Sequence, residues 1–349
     1  MPLKTTCIGA YPKPDYVPIL DWFQVGHDAE DYNDQVLHQW EKGQSGDGQA
    51  LMDRATAQVI ADQIACGIDV PTDGEVRREN YVHYQCRHFE GFDFVNLTER
   101  VLRNGAYRSN LPTIRSKVSV GDAQTLVRDW QVAEAAAGRP VKITMPGPMT
   151  ISDTTADEFY NDAPALARDL ADALNAQVHA LVEAGCRNIQ IDEPIFARKP
   201  DAALAYGIET LERCFHGVPE GVARVVHMCC GYPNKLDDMD YPKADQASYV
   251  QIAEGVDGVA DEISIEDAHR HNPPDLFRHF SKSKLIVGFV TIASSRVETV
   301  EEIRTRMLEV LHELPADRVI AAPDCGLGFL GRDLAMAKLK NLCAAAHSV

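Results

Sequence analysis

The chain has 349 residues, 45% of them hydrophobic, which is enough apolar material for one large core or two ordinary ones. Lys and Arg number 34 against 52 Asp and Glu, and the net charge of -18 sets long-range repulsion against nucleic acid and anionic membrane. No run approaches the roughly 18–20 uninterrupted apolar residues of a membrane span, and the opening MPLKTTCIG lacks the basic and apolar regions of a signal peptide, so the cytoplasm is the expected location.

Taken in chain order, short apolar or β-branched segments end in Gly, Asp, Pro or a chemically active residue, and most are followed by helical periodicity. These strand candidates are 4–12, 67–75, 141–148, 187–194, 223–231, 259–266, 284–294 and 318–326. Eight such βα units predict an α/β protein of the (β/α)8 TIM-barrel class, a single domain spanning 1–349. The clearest helix is 164–186, where Leu166, Leu170, Leu174, Val178 and Leu181 recur at three- or four-residue steps and Gly185 marks the stop. Similar patterns occupy 298–315 and 332–346. The interval 76–140 is far longer than a standard βα connection and is expected to be an irregular insertion after the second strand.

In such a barrel the chemistry gathers at the C-terminal ends of the strands. There the sequence places Asp73 and Glu75, Asp192 and Glu193, His227 and Cys229, Glu266, and Asp324 and Cys325. His227 and Cys229 stand two apart, so on a strand both side chains point to one centre, while Met228 and Cys230 turn away into packing. Glu266 and Cys325, each ending a later strand, can complete a four-donor set. Thiolates with an imidazole and a carboxylate favour Zn²⁺ over Mg²⁺ or Ca²⁺, and ligands scattered over three strands suit a reachable catalytic metal. The other Cys/His tract, HYQCRH with His83, Cys86 and His88, has a spacing that fits neither one strand face nor one helix face, and reads as packing and surface. The nine cysteines are otherwise expected to be reduced thiols.

The motifs TTCIGAYP, DGEVRREN at 73–80, PGPMTI at 146–151, QIDEP at 190–194, VVHMC at 225–229, EISIE at 262–266 and PDCGL at 323–327 together resemble the catalytic half of the cobalamin-independent methionine synthase family, and more closely its short single-barrel members. The resemblance implies zinc held by His227, Cys229, Glu266 and Cys325. It also implies Glu75 and Asp192 in the thiol-substrate pocket, where the family uses these carboxylates for the amino group of homocysteine. Departures fall elsewhere. The family's Ile-Gly-Ser contact for the amino-acid carboxylate is Ile8, Gly9 and Ala10; its pterin-stacking tryptophan is Thr154; its Asp-Ile-His-Ser motif, which carries the proton donor, is Thr291, Ile292, Ala293 and Ser294. The N-terminal half that helps bind folate in the full-length enzymes is not part of this sequence.

The expected activity is therefore zinc-dependent transfer of a small alkyl group, methyl before others, onto an activated thiol, with Zn²⁺ as cofactor and a small-molecule thiol and an alkyl donor as partners. A corrinoid or corrinoid protein, an ether-type methyl donor, an epoxide attacked by a coenzyme M-type thiol, and methyltetrahydrofolate are the competing electrophiles, and a silent zinc- or thiol-binding protein is the alternative class. Asp192, Glu193, Asp153 and Tyr11 are candidates to protonate a leaving oxygen. Arg77, Arg78 and Arg296 are candidates to bind an anionic substrate group.

Overall fold

The computed structural model describes residues 2–19, 39–102, 107–233, 235–238 and 241–349. Ten strands lie in it: β1 (Lys4–Thr5), β2 (Phe89–Leu102), β3 (Tyr107–Val120), β4 (Lys142–Pro146), β5 (Ala156–Asp157), β6 (Asn188–Asp192), β7 (Ala223–Met228), β8 (Glu262–Ile265), β9 (Lys284–Val290) and β10 (Val319–Pro323). Seven of them form one parallel sheet in the order β1-β10-β9-β8-β7-β6-β4. The ring continues through residues 70–72, which bridge Thr6 to Val70 and Thr72 to Lys142. Val70 N–H donates to the Thr5 carbonyl at 3.1 Å, and Lys142 N–H to the Pro71 carbonyl at 2.9 Å. The second expected strand is thus reduced to two bridges, because Pro71 at its centre has no N–H to offer a ladder. The architecture is the expected (β/α)8 barrel.

The helices start and stop where the sequence signals them. Helix Ala163–Ala184 is capped by Asp162, which accepts the Ala165 N–H, and ends at Gly185 with φ of 112°. Leu166, Leu170, Leu174, Val178 and Leu181 all lie buried on its inner stripe, each stabilising the fold by roughly 1.5–3 kcal/mol. Helix Val300–Glu313 begins with a capping box between Thr299 and Glu302.

The interval 76–140 differs from expectation. It holds helix Tyr81–Cys86, the antiparallel pair β2 and β3, and helix Thr125–Ala137, which are regular elements and not an irregular loop. The β2–β3 register shifts between Glu90 and Phe92 and again between Asp93 and Thr98. Such bulges break the period-two alternation that would have announced the hairpin.

Inside the barrel, Ile8, Val225, Ile286, Ile320 and Ala322 form an apolar layer. Polar residues stand above it at the C-terminal strand ends, so the apolar layer acts as a floor beneath the site. No helix among the described residues is long and apolar enough to cross a membrane.

Candidate metal centre

Strand β7 carries His227, and Cys229 follows directly, two residues on. Register then sets Asp192 of β6, His227 of β7 and Ser264 of β8 side by side. His227 Nδ1 is 2.9 Å from Ser264 Oγ, and Nε2 is 3.4 Å from Cys325 Sγ. The donor atoms of His227, Cys229 and Cys325 lie within 4.8 Å of one another, a grouping without parallel among the described residues. The rival tract does not assemble: His83 and Cys86 are buried in packing. Cys230 is fully buried beside Tyr249, apart from the three-residue group.

Several properties suit this group to a metal ion. Burial lowers the pKa of His227 to about 3, so its imidazole is neutral and keeps a lone pair. The Cys229 thiol is pushed well up by its hydrogen bond with Cys325 and by burial, so a cation is needed to draw off its proton. Glu266 is 1% exposed, sits against Cys229, and its Oε2 has no hydrogen-bond partner among the described residues. A buried carboxylate oxygen without a donor is costly until a cation meets it. A neutral imidazole, two thiols and an unsatisfied carboxylate oxygen fit Zn²⁺ better than an oxygen-seeking cation. Cys325 is half-buried, which leaves the centre open on one side.

Neighbouring side chains hold these donors in place. The Tyr249 hydroxyl donates to the Met228 carbonyl at 2.5 Å and accepts the Glu266 N–H at 3.1 Å, tying the ends of β7 and β8 together. Asp324 accepts the N–H groups of Asp267, Ala268 and His269, each at 2.9 Å, and so anchors the chain just past Glu266. Arg306 clasps Asp267 with two bonds of 2.7 and 2.8 Å. Ser264 is the partner that fixes the His227 ring, and it stands two residues before Glu266 on the same strand face. Ser264→Ala is expected to weaken metal binding about 10–100-fold with the fold intact, measured by chelator competition.

An acidic pair lines the same mouth. Gly74 and Glu75 both adopt left-handed backbone, with φ of 70° and 56°. A Cβ on Gly74 would meet Val59 Cγ1 at 2.5 Å, so the turn requires glycine there. Held this way, Glu75 Oε1 accepts the Thr144 hydroxyl at 2.8 Å and lies 3.5 Å from Arg78 Nη1. Asp192 Oδ1 accepts Gln190 Nε2 at 2.7 Å. Burial, then the charge of Glu75, pushes the Asp192 carboxyl well above the usual range, and burial likewise raises Glu75.

The remaining predicted residues are dispersed. Ile8 is in the apolar layer and its carbonyl accepts Gln190 Nε2 at 2.8 Å. A Cβ on Gly9 would lie 2.6 Å from Glu75 Oε1, and Gly326 faces Ala10. The Thr154 hydroxyl donates back to the Thr150 carbonyl at 2.7 Å. Ala293 is fully buried, and Ser294 Oγ accepts the Arg296 N–H at 3.2 Å. Arg296 is exposed and paired with Glu302. Arg77 is buried against Asp53 and Asp129, and Arg78 against Asp73 and Glu75, so their charges are already matched. Among the proton-donor candidates, Glu193 caps helix Pro148–Thr154 by accepting the N–H groups of Met149 and Thr150 at 2.9 and 3.1 Å. Asp153 pairs with Lys199, and Tyr11 is buried in the field of Asp62 and Cys7. Of the four, Asp192 alone belongs to the acidic pair at the mouth. Sequence reasoning missed Ser264, Tyr249 and Tyr81, the last of which opens the helix after the DGE turn.

Known proteins resemble this chain over nearly its whole length. The family described as "Cobalamin-independent synthase, Catalytic domain" matches residues 3–348. The chain is similar to the methionine synthase of Saccharolobus solfataricus, 31% identical over 344 residues that cover 97% of this chain and 92% of the relative. It is also 31% identical to the methionine synthase of Sulfurisphaera tokodaii over 342 residues, 97% of this chain and 90% of the relative. Among solved structures it is similar to a B12-independent methionine synthase from Shewanella sp. W3-18-1 in complex with selenomethionine, with a TM-score of 0.85, 27% identity, and coverage of 99% of this chain and 97% of that one.

Proposed function

The chain belongs to the cobalamin-independent methionine synthase family, in the part that forms the catalytic domain, and from that premise we propose that it transfers a small alkyl group, methyl before others, onto the sulfur of a small thiol with the help of zinc. The observation that carries this reading is the convergence of His227, Cys229 and Cys325 beside the unsatisfied Glu266 oxygen, at the mouth that also holds Glu75 and Asp192. His227, Cys229, Cys325 and Glu266 would hold zinc, which would supply a Lewis acid that lowers the pKa of a bound thiol, so that its proton passes to solvent and its sulfur stays nucleophilic at neutral pH.

The chain's own groups do the rest. His227, kept neutral by burial and oriented by Ser264, and the two cysteines offer soft donors. Glu266 brings a carboxylate that needs a cation. Glu75 and Asp192 face a common space, and burial raises the pKa of both carboxyls, the charge of Glu75 adding to the rise at Asp192. An ammonium group on the thiol substrate would satisfy both carboxylates, and Gln190 holds Asp192 toward it. The selenomethionine of the Shewanella relative is an amino acid with a methylated chalcogen, which supports a thiol of similar size.

The donor end is built differently. The Thr154 hydroxyl is turned onto its own helix and Ala293 has no titratable group, so neither a stacking face nor a proton stands at those two positions. A donor whose leaving group needs no proton, such as a methylated corrinoid, therefore fits better than methyltetrahydrofolate. The test presents zinc-loaded protein with a thiol panel and, in turn, methylcorrinoid, methyltetrahydrofolate and an epoxide. S-methyl product from the corrinoid is the expected result. Product from the epoxide alone would move the reading to epoxide opening, and thiol binding without product from any donor would make the protein a silent binder.

A further inference from the structure

The cations around the mouth are nearly all committed. Arg77 and Arg78 are buried against carboxylates, and Arg296 is paired with Glu302 away from the centre. Arg198 is different. It closes helix Pro194–Arg198, which follows Asp192 and Glu193 directly, and its side chain is 33% exposed. Its guanidinium makes one long ion pair, 3.9 Å to Asp153 Oδ2, while Asp153 has Lys199 Nζ closer, at 2.5 Å. Among the described residues it makes no hydrogen bond.

Tyr81 is the first residue of helix Tyr81–Cys86, which begins six residues after the Gly74–Glu75 turn and which Asn80 caps by accepting the N–H groups of Val82 and His83. The Tyr81 ring is half-buried, and its hydroxyl lies in the combined field of Asp192, Arg198, Cys229 and Glu75. It too makes no hydrogen bond among the described residues. Burial, then the charge of Asp192, keeps this phenol protonated, with Arg198 opposing them, so it is a neutral donor. One uncommitted guanidinium and one uncommitted O–H thus sit on the elements that follow Asp192 and the Gly74–Glu75 turn, and the phenol lies in the field of Cys229 and the acidic pair. An anion placed between them gains a charge-assisted bond from Arg198 and a hydrogen bond from Tyr81. A neutral group gains neither the charge term nor the full strength of either bond.

We propose that Tyr81 and Arg198 form the receptor for an anionic group, a carboxylate or a sulfonate, on the thiol substrate whose sulfur reaches His227, Cys229 and Cys325. This rests on the thiol-alkylating reading above and adds the determinant of thiol selectivity, in a chain where Ala10 offers no hydroxyl. Glu75 and Asp192 leave room for an ammonium group on the same substrate, and Arg198 with Tyr81 takes the opposite charge.

The test uses cobalt(II)-substituted full-length protein and follows the visible spectrum of the metal as 3-mercaptopropionate, 2-mercaptoethanesulfonate and 2-mercaptoethanol are titrated in. Wild type is expected to bind at least one anionic thiol about tenfold or more tighter than 2-mercaptoethanol, and the tighter of the two identifies carboxylate or sulfonate. Arg198→Gln is expected to weaken anionic thiols about 10–100-fold and Tyr81→Phe about 3–10-fold, with 2-mercaptoethanol within about twofold in both and partial recovery in Arg198→Lys. The unchanged 2-mercaptoethanol response shows that each variant is folded and metal-loaded. Equal weakening of all three thiols, or no weakening of the anionic ones, would overturn the receptor and leave thiol alkylation standing. If no thiol alters the wild-type spectrum, the thiol-alkylating reading fails and takes the receptor with it.

Discussion

Cys229→Ser is expected to bind less than about a tenth of the zinc that the wild-type protein binds, and to lose measurable transferase activity. Serine is nearly the same size, so the fold has little reason to change. Its hydroxyl is a hard, poorly acidic donor, and at a buried position it cannot supply the charge that a thiolate supplies. The loss also strands Glu266, whose Oε2 has no other partner among the described residues, so two donors fail together. Cys230→Ser is the internal control. That residue is fully buried beside Tyr249 and apart from the group of donors, so its replacement is expected to cost stability while metal content stays within about twofold of wild type. Metal analysis of the two purified variants checks both outcomes, and equal loss in the two would mean that the cluster had been divided wrongly.

Gly288→Ala should be nearly as damaging, from a residue that offers no donor at all. Gly288 pairs with Ala322 in the barrel wall, and a Cβ there would lie 2.1 Å from Asp324 Oδ1 and 2.6 Å from Asp324 Cα. Because one of these atoms is backbone, no rotamer change relieves the clash. Asp324 has to move, and with it the adjoining Cys325 and the three N–H groups that Asp324 anchors just past Glu266. Overpacking of this kind costs about 1–3 kcal/mol of stability. The metal should suffer in addition, because two candidate donors are displaced from opposite sides, and affinity is expected to fall more than about tenfold. Thermal unfolding of the metal-free protein and chelator competition separate the two effects. A variant that is less stable but binds metal normally would show that Asp324 does not position the centre.

The barrel and the heart of the candidate site were legible for identifiable reasons. His227 and Cys229 stand two apart at a strand end, and period two projects them to the same side whatever surrounds them. The helix of Leu166 to Leu181 carries its own cap and its own stop. The hairpin of β2 and β3 was not legible because two register shifts interrupt its alternation, and with it went any position for the helix that carries Tyr81. Ser264 lies on the same strand face as Glu266, so period two points to it as well, yet a serine has many uses and only the register of β7 against β8 brings it to His227. Arg198 shows the opposite problem. The sequence singles out Arg77, Arg78 and Arg296, and what distinguishes Arg198 from them is that theirs are the charges already partnered, a property of the folded arrangement alone. Glu193, a candidate proton donor in the sequence, instead caps helix Pro148–Thr154, reached across the β4–β6 pairing, which no local signal announces.

The central claim is that four side chains hold zinc in a way that leaves room for one more sulfur. X-ray absorption at the zinc edge tests this most directly, with zinc-loaded protein measured alone and then with excess thiol. Alone, the protein should show two sulfur neighbours at about 2.3 Å with nitrogen and oxygen completing the shell, and the thiol should raise the sulfur count to three. An unchanged count with a saturating thiol, or a protein that takes up no zinc, would contradict it.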